Sequence, residues 1–129
     1  MQAEQKIMSS LSEHDTIART LETYINGGMS GKGDDMKPAF HRDATIFGYV
    51  GADLFGGPIK QLFDWVDQNP PAKGLQSRIT GIDLMGTIAT ARLELENWNG
   101  HRFTDMFTLL KTDGQWKIIS KVFYLHSEG

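Results

Sequence analysis

The sequence predicts an α+β domain, with helices in its first half and an antiparallel β-meander in its second. Three observations carry this. Apolar residues recur at helical spacing over residues 13–26 and 58–69. From Gln76 onward they alternate with a period of two instead. Finally, Asn99-Gly100 and Asp113-Gly114 are strong two-residue hairpin turns, because these pairs accept the positive φ that both central positions of such a turn require.

Residues 1 to about 11 read as a loose N-terminal arm or an extra helical turn. The first helix is expected from Glu13 to Asn26, with Ser12 as its cap and Asp15 in capping-box position. Ile17, Leu21, Tyr24 and Ile25 share its apolar face, and Gly27-Gly28 is expected to end it in the left-handed conformation. A short second helix is predicted over Asp34–His41, with Pro38 tolerable only in its first turn. Ala44–Val50 reads as a strand, with Thr45, Phe47 and Tyr49 on one side and Ile46 on the other. The glycine-rich GADLFGG follows as a turn. Pro58 opens a third helix with a buried stripe of Ile59, Leu62, Phe63 and Val66, and Asn69-Pro70-Pro71 stops it.

A strand over Gln76–Leu84 turns back at Met85-Gly86 and precedes the two tight hairpins. Extending each hairpin in strict register pairs Trp98 with His101, Glu94 with Asp105, and Arg92 with Phe107. On the other side it pairs Leu109 with Ile118, Phe107 with Ser120, and Asp105 with Val122. Two faces result. One carries Leu93, Leu95, Thr104, Met106, Lys121 and Phe123. The other carries Arg92, Glu94, Phe103, Asp105, Phe107, Trp116, Ile118, Ser120 and Tyr124. Neither is a solvated polar face, so both need cover. Helices cover one, and a second copy of the chain is expected on the face with Leu93, Met106, Lys121 and Phe123. Asp105 is expected to face the interior.

With 129 residues the chain fits a single domain spanning 1–129. The absence of cysteine excludes disulfides and thiolate zinc sites. Four dispersed histidines have no metal-ligand spacing, so neither metal nor cofactor is called for. The net charge of −3, with lysines and arginines scattered singly, argues against a nucleic-acid partner. No stretch has the length and hydropathy of a membrane span or a signal peptide, and a cytoplasmic protein is expected.

The strings AFHRDATIFGYVG and RFTDMFTLLKTDGQWKIISKVFYLH resemble the helix-to-first-strand passage and the last hairpin of the nuclear transport factor 2-like superfamily. The resemblance covers about residues 13–126, and within the superfamily it lies nearest to the polyketide cyclase-like proteins and a putative lumazine-binding group. It implies a cone: three helices of the N-terminal half packed on the concave face of a curved antiparallel sheet, with a cavity between them. The superfamily includes ketosteroid isomerase-like enzymes, dehydratases and members that only bind, so fold alone does not settle function. Its isomerase-like enzymes carry a general-base carboxylate a few residues into the first strand. Here that stretch reads Ile46-Phe47-Gly48-Tyr49, which puts isomerase chemistry in doubt.

Asp105 is the sharpest candidate, since a carboxylate between Phe103 and Phe107 needs a partner or a purpose. It is either part of a structural cluster with Arg92 and Glu94 or the polar end of an apolar cavity. In the second case Asp105 or Glu94 is a proton acceptor with a raised pKa. His41 is either a helix-terminal residue favoured by the dipole or a cavity acid/base. Tyr24, Tyr49, Phe55, Trp65 and Tyr124 either line the cavity around a flat ligand or simply build the core. The expected ligand-binding set is therefore Tyr24, His41, Tyr49, Trp65, Arg92, Glu94, Asp105, Phe107 and Tyr124. Three functions follow as expectations: a small-molecule-binding domain, a lyase or isomerase using a cavity base, or a protein-interaction subunit.

Overall fold

Ile17, Leu21, Tyr24 and Ile25, the four apolar positions expected on one helix face, are all buried, and the long helix that carries them fills the mouth of a bent sheet. The structure, a computed structural model, describes residues 2–126, with side chains described from Leu11 onward. Helix α1 spans Gln2–Ser30 and α2 spans Gly33–Met36, followed by a 3-10 turn over Lys37–Ala39. Strands β1 (Phe40–Val50) and β2 (Asp53–Pro58) form a hairpin, α3 (Lys60–Asp67) crosses the cone, and β3 (Gln76–Met85), β4 (Ile88–Trp98), β5 (His101–Thr112) and β6 (Gln115–Leu125) form the meander. The arm expected over residues 1–11 falls mostly on positions whose side chains lie outside the described set; the backbone of α1 begins at Gln2.

The six strands form one sheet in the order β2-β1-β6-β5-β4-β3. Four of its ladders are antiparallel, the three of the meander as expected, but β1 runs parallel to β6, so the sheet is mixed. The helices lie on the concave side, and the N-terminal half supplies all of them.

Several boundaries differ from the sequence expectation for identifiable reasons. Helix α1 runs through Gly27-Gly28 and ends at Gly31, whose φ of 73° supplies the left-handed residue. Gly27 and Gly28 are there for close approach instead. A Cβ on Gly27 would lie 2.5 Å from Met36 Cβ, and one on Gly28 would lie 2.7 Å from the Trp98 ring. Pro38 holds the second helix to a single turn, because it cannot donate to the preceding carbonyls. His41 therefore sits in β1, not at a helix terminus. The GADLFGG stretch turns only at Gly51-Ala52, and from Asp53 it pairs with β1 as an edge strand.

Both hairpin turns are as predicted, with φ of 52° and 89° at Asn99-Gly100 and 52° and 75° at Asp113-Gly114. The register beyond them is not. Between Leu95 and Trp98 strand β4 carries an extra residue, with Asn97 at φ 60°. Between Ile118 and Ser120 strand β6 carries another, at Ile119. Each bulge shifts the pairing by one, and a one-residue shift exchanges the two faces of a strand. Asp105 thus lies opposite Leu93 and Phe123, Arg92 opposite Met106, Glu94 opposite Thr104, and Phe107 opposite Lys121.

The inner wall consequently combines residues from both predicted faces. Leu93 and Leu95 of β4, Asp105, Phe107 and Leu109 of β5, and Trp116, Ile118, Lys121 and Phe123 of β6 are all buried. Of the four residues expected on an outer, dimer-forming face, only Met106 is exposed. The outer face instead presents Phe47, Tyr49, Met106, Val122 and Tyr124.

Gly27→Ala tests the packing role of that glycine, because the new methyl would press on the Met36 backbone as well as its side chain. The expected cost is about 1–3 kcal/mol, the usual range for overpacking, read as a lower urea midpoint at unchanged slope. An unchanged midpoint would show that the α1–α2 contact yields freely.

Candidate functional site

Between α1, α3 and the sheet lies a cavity of about 140 Å³. An apolar cavity of roughly 150 Å³ holds a benzene-sized ring. Its floor is buried: Tyr24 from α1, Ile46 from β1, Trp98 from the end of β4, and Lys121 and Phe123 from β6. Val50 and His101, both exposed, lie at its rim, and Leu62 and Trp65 of α3 close one side.

The wall is a belt of aromatic rings in edge and tilted contact. Trp98 touches Trp65 at a centroid distance of 6.0 Å, Tyr24 at 5.8 Å and Phe103 at 6.1 Å. Phe123 then joins Phe103 at 5.9 Å to Phe55 at 6.1 Å. The inward position next to Phe123 is Gly48, and a Cβ there would stand 2.6 Å from the Phe123 ring. Its missing side chain is what lets that ring lie against β1.

One polar group interrupts the belt. The Lys121 ammonium lies over the Phe123 ring at 4.9 Å and the Tyr24 ring at 5.4 Å, and it donates to Asp105 Oδ1 at 2.9 Å. Tyr24 donates its phenol to Asp105 Oδ2 at 2.8 Å. Asp105 is 0 % exposed and Lys121 3 %. Lys121 and Tyr24 line the cavity while the carboxylate stands behind them. Burial above all, reinforced by the Asp105 charge and its hydrogen bond, raises the Tyr24 phenol well above its ordinary value of 10.0. Tyr24 therefore remains a proton donor to the carboxylate throughout the neutral range. Isolated buried charges are costly, and here each is neutralised by its partner and a hydrogen bond.

The sequence-predicted site residues divide sharply. Tyr24, Trp65 and Phe55 line the cavity, Asp105 supports it from behind, and Phe107 is buried against the Tyr24 ring at 5.6 Å. The others do not reach it. His41 is half-buried, and its Nδ1 accepts from the Asp43 backbone N–H at 3.0 Å. Tyr49 and Tyr124 stand on the outer face, each 62 % exposed. Arg92 Nε donates to Glu94 Oε2 at 2.9 Å, also on the outer face. A hydrogen bond from Thr104 is the main cause, with Arg92 adding to it, that lowers the Glu94 carboxyl below its ordinary 4.5, opposite to the rise expected.

Strict register from the hairpin turns puts Lys121 and Phe123 on the outer face and leaves Arg92 and Glu94 as the neighbours of Asp105, so it does not reveal these two cavity residues. Trp98 and Phe103 also line the cavity without having been in the expected set. A signal existed. In ARLELENW the apolar residues at 91, 93 and 95 are followed by Trp98 rather than by an apolar residue at 97, a break in period two that marks a bulge. Among the described residues, no group of three or more His, Cys, Asp or Glu side chains could hold a metal ion. Nor is any described helix long and apolar enough to cross a membrane.

The curved sheet, its helical filling and the cavity between them define a nuclear transport factor 2-like fold. Two solved structures share it closely. An NTF2-like protein of unknown function from Methylobacillus flagellatus KT is 56% identical, with a TM-score of 0.88 over 90% of this chain and 94% of that one. A second, from Shewanella baltica OS155, is 40% identical with a TM-score of 0.87, covering 92% of this chain and 97% of its own. The chain belongs to the family described as "Putative lumazine-binding", which matches residues 12–124. It is also 34% identical over 114 residues to the aldolase FrzH of Cladobotryum sp., spanning 88% of this chain and 91% of that protein.

An ultraviolet titration should find one of the three tyrosines withheld from ionisation until the fold is lost. Because the native Tyr24 value is raised, its contribution to stability is complete below pH 10.0 and disappears as pH climbs through the native value. Reversible ionisation of all three in the folded protein would contradict the burial of Tyr24.

Proposed function

We propose that this protein is an enzyme that binds a small, mostly apolar carbonyl compound and activates the carbon next to the carbonyl. The observation that carries this reading is the Lys121 ammonium set in an aromatic cavity wall, with Asp105 and Tyr24 behind it. A buried ion pair contributes little net stability compared with apolar residues of the same volume. A cation at the end of an apolar cavity polarises a carbonyl oxygen and stabilises the enolate that forms when an α-proton leaves. That step is common to aldol and isomerisation chemistry, and the similarity to the aldolase FrzH supports it. The β1 residues that line the cavity are Ile46 and Val50, both apolar, so the chemistry does not use a first-strand carboxylate. Asp105, expected as a base, stands behind Lys121 outside the cavity lining, and its Oδ1 is the acceptor for the proton that leaves.

A second copy of the chain is proposed to cover the outer face. Phe47, Val122 and Met106 are cross-strand neighbours in one row, and Tyr49 and Tyr124 are neighbours in the next. All five are exposed, and such a patch suits a self-complementary two-fold contact. Arg92 and Glu94, already paired within one chain, border it without net charge. Light scattering at micromolar concentration should give a dimer, and Met106→Asp a monomer with an unchanged melting temperature. A monomeric parent protein would remove this interface.

The enzymatic reading is tested by solvent deuterium exchange at the α-carbon of phenylacetone, followed by NMR. Binding is read separately from quenching of Trp65 and Trp98. Lys121→Met combined with Asp105→Asn leaves no buried charge, so the fold is expected to survive. Exchange should fall at least about a hundredfold, the scale of losing a preorganised electrostatic group, while quenching persists. Exchange at the parent rate in the double variant, or none in the parent, would refute the reading.

A further inference from the structure

We infer that Lys121 is a nucleophile that forms a covalent imine with the carbonyl compound. This inference rests on the carbonyl-binding reading above and specifies how the activation is achieved. Lys121 lines the cavity from a buried position, and among the described residues its hydrogen-bond acceptor is Asp105 Oδ1, which lies outside the cavity lining. In the cavity wall the ammonium lies over the faces of Tyr24 and Phe123. Once a ligand excludes water, the ammonium therefore has one base within reach.

The bookkeeping of protons is complete with the three residues in place. The Asp105 carboxylate takes a proton from the Lys121 ammonium, leaving a free amine. The nitrogen attacks the carbonyl carbon, the new C–N bond forms, and the carbonyl π electrons move to oxygen. One proton passes from nitrogen to that oxygen and gives a neutral carbinolamine. Asp105 returns its borrowed proton to the hydroxyl, the C–O bond breaks, and water leaves. The nitrogen lone pair then forms the C=N bond of a protonated imine that keeps one of the ammonium's three protons.

The charge pattern at the end is the one at the start, a nitrogen cation beside the Asp105 anion. The cavity that stabilises the resting ion pair thus also stabilises the product of the condensation. Tyr24 donates to Asp105 Oδ2 in both states and leaves Oδ1 to trade protons with nitrogen. An iminium withdraws electrons from the adjacent carbon far more strongly than a ketone, so transfer of an α-proton to the Asp105 carboxylate, again anionic after the dehydration, gives a neutral enamine, the nucleophile of an aldol reaction.

Benzoylacetone is the probe, because its phenyl ring suits the aromatic wall and a 1,3-diketone condensed on an amine remains as a stable enaminone. The parent protein should gain near-ultraviolet enaminone absorbance and the mass of one diketone less one water. Peptide mapping should locate that mass on Lys121 in preference to every other lysine. Reduction of a phenylacetone mixture with cyanoborohydride should label the same residue, and Lys121→Arg should not be labelled by either route. Mapping in the parent protein keeps the inference testable even if a variant fails to fold. Quenching of the cavity tryptophans by benzoylacetone without an adduct at Lys121 would overturn the imine and leave carbonyl binding standing. Neither quenching nor adduct would overturn both, and labelling spread evenly over the surface lysines would overturn the imine.

Discussion

A β-strand has only two sides, and the wall around the cavity depends on an extra residue in each of β4 and β6. The bulge at Glu96-Asn97 lets Trp98 share a wall with Leu93 and Leu95. The bulge at Ile119 lets Lys121 and Phe123 share a wall with Trp116 and Ile118. Removing either would exchange buried and exposed residues along the rest of that strand. Bulges also bend the sheet, and the bend makes the concavity into which α1 and α3 pack. The cavity, its aromatic belt and its ion pair all depend on these two insertions.

Helix and sheet are tied through that ion pair as well as through apolar contact. Tyr24 is in the buried stripe of α1, and its phenol ends on the carboxylate that also holds Lys121. The helix could pack by its Ile17, Leu21 and Ile25 contacts alone. The trio adds geometric definition, since a carboxylate with two donors on opposite oxygens has little freedom to turn. A group that must meet a ligand at a set angle benefits from such a support.

In this chain the polar group of the cavity comes from the last hairpin, which carries Lys121, and not from the first strand. Ile46 contributes only apolar surface to the cavity. The fold supplies enclosure and exclusion of water, and the chemistry follows from whichever inward positions are polar. With Lys121 and Asp105 on adjacent strands, the pair is set by cross-strand geometry more than by any loop.

Several features were legible in the sequence because they are local. The apolar stripes of α1 and α3 repeat every 3.6 residues whatever they pack against. Positive φ at Asn99-Gly100 and Asp113-Gly114 follows from the chemistry of those dipeptides. Alternation separates buried from exposed positions as expected in β4 up to Leu95 and along β5, with Asp105 on the buried side, whereas in β6 the bulge at Ile119 moves the buried side from Trp116 and Ile118 to Lys121 and Phe123. How those alternations are phased between neighbouring strands was decided by the tertiary structure, apart from the mark that the β4 bulge leaves in the sequence at Trp98. A bulge is a property of two strands, so Asp105 meets Lys121 and Tyr24 rather than Arg92 and Glu94. The same distinction separates Gly31, whose backbone angle ends α1, from Gly27 and Gly28, whose missing side chains matter only because Met36 and Trp98 arrive there from elsewhere in the chain.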